Sequence, residues 1–158
     1  MDNPYYEKLV NAALRFVSFR PRSERELIDF LTKKLAKWKV VGEELIKKVV
    51  ERMRDLGYVD DHAFVSWWLT QRSTFRPKGK RALVGELMKK GIPKDIIERE
   101  TFDEYESAKR AIQKKIVVWA KLPIIEQKKK LYTFLAQRGF SSETISRIID
   151  GLGKKAYN

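Results

Sequence analysis

Cysteine is absent from the 158 residues, and histidine occurs once, as His62. The first absence excludes a disulfide framework, a thiolate metal site and a cysteine nucleophile. The second leaves general-base chemistry and metal ligation without their commonest residue. Phosphate-cradling glycine loops, dinucleotide fingerprints and a nucleophile elbow are missing too. These deficits point away from an enzyme and away from any cofactor or metal. No apolar run approaches the roughly 18 residues of a membrane span. The start, MDNPYYEKLV, lacks the basic-then-apolar pattern of a signal peptide. The expectation is a soluble, cytoplasmic chain with no membrane partner. Convincing strand alternation is also missing.

Positive charge is what the chain has in excess: 34 Lys and Arg against 21 Asp and Glu, a formal net charge of +13. By segment the balance is +4 over residues 1–56, +3 over 57–102 and +6 over 103–158. A balance of this size favours a polyanionic neighbour, because neutralising phosphates releases their counterions. The plainer alternative is solubility in a thermophilic cytoplasm, with which the scarcity of Asn and Gln agrees.

Apolar residues recur at helical spacing throughout. Leu45, Ile46, Val49, Val50, Met53 and Leu56 form one stripe. Gly57 then suits a left-handed cap, with Tyr58 folding back on Met53. Ser23 and Glu26 form a capping-box pattern before Leu27, Ile28, Leu31 and Leu35, and Asp103 with Glu106 repeats it. Leu83, Leu87, Gly91, Ile92 and Ile97 match Leu131, Leu135, Gly139, Phe140 and Ile145 at an offset of 48 residues. The first third has no glycine at the matching place; LAKWKVVG reads as a longer turn. A long helix precedes each pair, at about 5–19, 61–73 and 104–121. The expected fold is all-α: an elongated, curved array of three tandem three-helix repeats, over residues 1–58, 59–102 and 103–158. A single compact helical domain is the alternative.

The stretch GYVDDHAFVSWWLTQRSTFRPKGKR, residues 57–81, concentrates the remaining signals. Asp60 as N-cap and Asp61 in the first turn both sit beside the positive helix end, a structural role. Too few ligands lie nearby for a metal. His62 is expected to be exposed, Trp68 to lie in the core and Trp67 to pack at a repeat junction. Arg72, Arg76, Lys78, Lys80 and Arg81 follow around Pro77 and Gly79, either as a solvated charge run or as a patch for phosphate or an acidic surface. Arg20 and Arg22, flanking Pro21, make a second basic turn. Lys128, Lys129 and Lys130 make a third.

The segments ALRFVSFRPRSERELIDFL (13–31), LGYVDDHAFVSWWLTQR (56–72) and PKGKRALVGELMKKGIPKDII (77–97) resemble the RecX regulatory proteins of bacteria, modulators of the RecA recombinase. Arg20-Pro21-Arg22-Ser23 with Glu26-Leu27 carries the resemblance. So do Gly57-Tyr58-Val59-Asp60-Asp61 with Phe64, and Gly79 with Glu86-Leu87 and Lys90-Gly91-Ile92. The last third fits by periodicity alone. The resemblance implies a non-enzymatic regulator that binds the groove of a RecA–single-stranded DNA filament and inhibits the recombinase. It thereby implies a role in DNA recombination, DNA repair and the SOS response. On that reading Arg20, Arg22, Arg72, Arg76, Lys78, Lys80 and Arg81 face the filament or its DNA, and the chain works as a monomer. The rival reading is an autonomous basic module that binds nucleic acid by itself.

Overall fold

The structure, a computed structural model, describes residues 3–155, with side chains to residue 152. Among the described residues there are nine helices and no strand: α1 (Pro4–Phe19), α2 (Glu24–Trp38), α3 (Glu43–Asp55), α4 (Asp61–Phe75), α5 (Lys80–Lys89), α6 (Lys94–Arg99), α7 (Glu104–Trp119), α8 (Ile124–Gln137) and α9 (Ser142–Lys155). Their ends follow local chemistry. Asn3, Ser23 and Asp103 each turn a side-chain oxygen onto the backbone N–H two or three residues ahead, satisfying donors that a helix start leaves unpaired. Asp60 does the same for α4, accepting from the N–H groups of His62 (3.0 Å) and Ala63 (3.3 Å). Pro21 and Pro123 follow the ends of α1 and α7, where a missing N–H and a restricted preceding residue prevent the helix from continuing.

The helices make two compact units, and the division falls inside α4 and α5. One unit contains the residues up to Trp67 together with Leu87–Glu100. The other contains Trp68–Glu86 and the residues from Thr101 on. In the first unit Leu9, Val10 and Ala13 of α1 meet Leu27, Leu31 and Leu35 of α2 and Leu45, Val49, Val50 and Met53 of α3. In the second, Ala108 and Ile112 of α7 meet Leu131 and Leu135 of α8, with Phe140 and then Ile145 and Ile148 of α9. The buried positions on α2, α3 and α8, with Phe140 and Ile145, are among those read from the sequence, whereas Ile28, one residue off the buried row of α2, and Leu56, the C-cap of α3, are exposed. Fully burying each Leu or Ile is worth about 1.5–3 kcal/mol.

Gly91 and Gly139 take the left-handed conformation, at φ +79° and +84°. The amides of Ile92 and Phe140 return to the carbonyls of Leu87 and Leu135, at 3.1 Å in both cases. The first third closes the same way without a glycine. α2 runs on to Trp38, Lys39 adopts φ +58°, and the amide of Val40 returns to the carbonyl of Leu35 at 3.0 Å. The expected longer turn is therefore a longer helix, with Lys39 where the other two segments place glycine. Gly57 caps α3 at φ +79°, and the Tyr58 amide bonds the Met53 carbonyl at 2.9 Å. The ring of Tyr58 stays exposed, and the apolar residue that folds inward is Val59.

Each unit contains one joint of the same design. In the first, the buried Ser23 ahead of α2 donates its hydroxyl to the Lys90 carbonyl at 2.7 Å, beside the Gly91 turn. In the second, Gly79 ahead of α5 donates its amide to the Arg138 carbonyl at 2.8 Å, beside the Gly139 turn. A carboxylate from a third helix then accepts the next N–H: Asp61 takes that of Glu24 at 2.9 Å, and Glu104 takes that of Lys80 at 2.7 Å. Asp61 is thus structural in a sense the sequence did not reveal, because from the first turn of α4 it caps α2. Its burial raises the carboxyl above the ordinary aspartate range, and the bond from Glu24 only partly offsets this.

Candidate interaction surface

The seven basic residues expected to bind fall into two groups, one in each unit. Arg20 follows α1 in extended backbone and holds Glu26 at 2.9 Å, with its guanidinium 5.7 Å from the Trp67 ring centre. Arg22 donates its Nε to the Phe16 carbonyl at 3.0 Å and lies 3.9 Å over the Phe16 ring. Phe16 in turn stacks on Phe30 at 4.1 Å. Burial and the neighbouring Arg20 hold the Arg22 guanidinium below the usual arginine range, while Glu26 pulls it back up. Lys90 reaches Glu26 at 3.3 Å. Glu26 is therefore an ion-pair hub for three cations, not the second half of a capping box. Both of its oxygens are buried without a hydrogen bond of good geometry, so electrostatic attraction carries its desolvation.

The second group is built around Glu86 of α5. Arg72 of α4 bonds one carboxylate oxygen through Nε at 3.2 Å, and the Trp68 indole N–H donates to the same oxygen at 2.9 Å. Lys78 donates to the other oxygen. Arg72 also lies 4.7 Å over the Trp68 ring. Burial by itself would raise the Glu86 carboxyl, but the bonds from Lys78 and Trp68 and the charge of Arg72 bring it below the ordinary range. Trp68 is consequently not a core residue as expected. It is partly buried and turns its polar edge to a carboxylate. Trp67 packs on Phe64 with ring centres 5.9 Å apart. His62 is exposed, and among the described residues no group of His, Asp and Glu could hold a metal.

Four of the seven cations, Arg20, Arg22, Arg72 and Lys78, are thus tied to glutamates within the fold. Arg76, Lys80 and Arg81 are exposed and form no ion pair among the described residues. Only the backbone of Lys80 is engaged, by Glu104. Glu104 also accepts from the Ser141 amide (3.1 Å) and from the hydroxyls of Ser141 (2.6 Å) and Thr144 (2.5 Å). Its burial favours the neutral form, but these donors outweigh it and the carboxyl lies below the ordinary range. The lysines of the third basic run, Lys128, Lys129 and Lys130, are exposed on α8.

Two exposed aromatics escaped the sequence reading. Phe19 ends α1 with 82% of its surface in water, and Phe75 ends α4 with 78%. A signal was available: Phe19-Arg20-Pro21-Arg22 and Phe75-Arg76-Pro77-Lys78 are one pattern, spaced 56 residues apart.

Family models match two segments. Residues 60–99 match the second three-helix domain of RecX, and residues 103–149 match the third. Together these segments cover more than half of the chain. The chain belongs to the RecX family. Among its relatives, a regulatory protein RecX of Prosthecochloris aestuarii is 33% identical over 157 residues, spanning 96% of this chain and 98% of the relative. One from Chlorobium phaeobacteroides is 33% identical over 149 residues, spanning 91% and 93%. Among solved structures, RecX from Lactobacillus salivarius shares the fold at a TM-score of 0.80, with 24% identity and coverage of 94% and 96% of the two chains. The relatives are named regulatory proteins. Among the described residues no helix is long and apolar enough to cross a membrane.

Proposed function

We propose that this RecX-family chain is a non-enzymatic regulator that binds the RecA–single-stranded DNA filament and inhibits the recombinase, modulating recombinational DNA repair and the SOS response. Family membership carries the proposal, and the basic surface supports it. On this reading residues 1–58, 59–102 and 103–158 act as three repeats of one monomeric cytoplasmic protein, with the bound DNA or an acidic protein face as the immediate contact. Inhibition then needs a difference in affinity between filament states, since equal affinity for all states would shift no equilibrium.

Within the expected set, the three unpaired cations are the groups to alter. Arg20, Arg22, Arg72 and Lys78 hold Glu26 and Glu86, so replacing them perturbs the fold together with any contact. Reversing Arg76, Lys80 and Arg81 to Glu lowers the formal charge from the native +13 by six and breaks no ion pair of the described residues. The test adds wild type and triple variant to preformed filaments and measures strand exchange, ATP turnover and co-sedimentation over a salt series. The wild type should suppress strand exchange. The variant should bind more weakly with a flatter salt dependence, because fewer charges are neutralised. A wild type that leaves strand exchange and turnover unchanged refutes the regulator reading. Tight, steeply salt-dependent binding to bare single-stranded DNA together with indifference to filaments would favour the autonomous nucleic-acid module.

A further inference from the structure

Local folding does not account for the two exposed phenylalanines. One exposed apolar side chain is ordinary, but here the same tetrapeptide pattern recurs at the same place, the last residue of a long helix, once in each unit. Phe19 and Phe75 leave about four-fifths of their surface in water, at 82% and 78%. Neither belongs to the buried core of its unit. What is invested around them is rigidity. A proline two residues on ends each helix. The basic residue after it is tied down, Arg22 to the Phe16 carbonyl and Glu26, and Lys78 to Glu86. A ring held at the end of a fixed helix, before a fixed turn, loses little freedom when it enters a partner.

We propose that Phe19 and Phe75 are two copies of one aromatic anchor, each inserting into an apolar cleft edged by carboxylates on a protein whose surface recurs along an assembly. The proposal rests on the filament reading above and names residues that would carry it. Three observations favour a protein over nucleic acid. Arg20, Arg22 and Lys78 already face glutamates, so each turn offers phosphate less charge than its sequence suggests. Phenylalanine brings no hydrogen bond with which to read a base. The duplication is the third: one chain carrying the same anchor twice suits a partner that presents the same cleft more than once, as identical protomers in a filament do. The residual positive charge at each turn, most openly at Arg76, selects an acidic rim.

Phe19→Ala, Phe75→Ala and the double variant test this. Because both rings are exposed, thermal unfolding should be unchanged in all three, which serves as the folding control. Co-sedimentation with preformed RecA filaments on single-stranded DNA measures the contact. Fluorescence anisotropy with a bare oligodeoxythymidylate measures stacking on bases. Each single variant should weaken filament binding by roughly tenfold or more, the range of a buried aromatic anchor. The double variant should weaken it by about the product, as independent sites add in free energy. Binding to the bare oligonucleotide should not move. A folded double variant that binds filaments like wild type overturns the proposal. Loss at only one position overturns the duplication. Parallel loss on bare oligonucleotide would make the rings base-stacking groups and overturn the protein cleft. Wild type failing to sediment with filaments would remove the filament reading, and the anchors with it; wild-type binding with unaffected variants removes the anchors alone.

Discussion

Alanine substitutions at three glycines should separate conformational strain from steric collision. Gly57 has φ +79°, and a Cβ there would meet nothing within 4 Å. Gly57→Ala should therefore cost only the left-handed penalty, about 1–2 kcal/mol. Gly139 has φ +84°, and its added Cβ would stand 2.5 Å from the Ala82 Cβ and 2.8 Å from the Ala82 amide nitrogen. Carbon atoms pack at about 3.5–4.0 Å, and backbone cannot rotate away as a long side chain can. Overpacking of about 1–3 kcal/mol adds to the strain, for a total of about 2–5 kcal/mol. Gly79 is not among the positive-φ residues, so its cost is collision alone: an added Cβ lies 2.2 Å from the carbonyl of Gly139 and from the amide of Phe140. Relief requires the start of α5 to move off the end of α8. That sacrifices the 2.8 Å bond to the Arg138 carbonyl and strains the Glu104 cap of Lys80. About 3 kcal/mol or more should be lost. Urea unfolding followed by circular dichroism ranks the variants, and amide exchange assigns the loss to a unit. The Gly79 and Gly139 variants should loosen α7, α8 and α9, whereas Gly57→Ala should act on α3. If Gly79→Ala or Gly139→Ala costs no more than Gly57→Ala, the joint between the α5 start and the Gly139 turn is not as tight as described.

The Asp61 cap makes a prediction with a sign. Asp61→Ala should lower stability by about 0.5–2 kcal/mol at acidic pH, and by less as pH rises, because the Glu24 N–H loses its acceptor. Since burial raises this carboxyl, the folded state holds its proton where the unfolded chain releases it. The resulting stability is present below the ordinary aspartate range and is lost as pH rises through the raised value. Asp61→Asn keeps an acceptor oxygen, so it should flatten that decline and match or exceed wild type at neutral pH, as urea titrations across mildly acidic pH will show. Lys39 offers the opposite kind of change. It bears a left-handed φ of +58° without being glycine, so Lys39→Gly should raise thermal stability, by a few tenths to about 1 kcal/mol once the extra freedom of the unfolded chain is subtracted. A lowered melting temperature would show that the lysine side chain contributes more than its backbone costs.

Much of the architecture was legible because it is written in local patterns. Helical periodicity located the buried stripes of α2, α3, α5 and α8, and side-chain caps at Ser23, Asp60 and Asp103 marked helix starts. The matched glycines 91 and 139 marked left-handed turns, since few other residues take that conformation. Even the exposed Phe-Arg-Pro pattern was present to be read. What tertiary structure decided was the state of each charge. The sequence shows seven cations, but not that Glu26, Glu86 and their neighbours come together from residues up to 67 positions apart, as at the Ser23–Lys90 joint beside Glu26. It shows two adjacent aspartates, but not that one caps a helix beginning 37 residues earlier. It shows two tryptophans side by side, but not that Trp68 faces a carboxylate. Helix periodicity is a property of neighbours along the chain, so it survives in the sequence. Ion-pair partners and borrowed caps depend on which helix ends meet in space, and that is settled only when the apolar faces have packed.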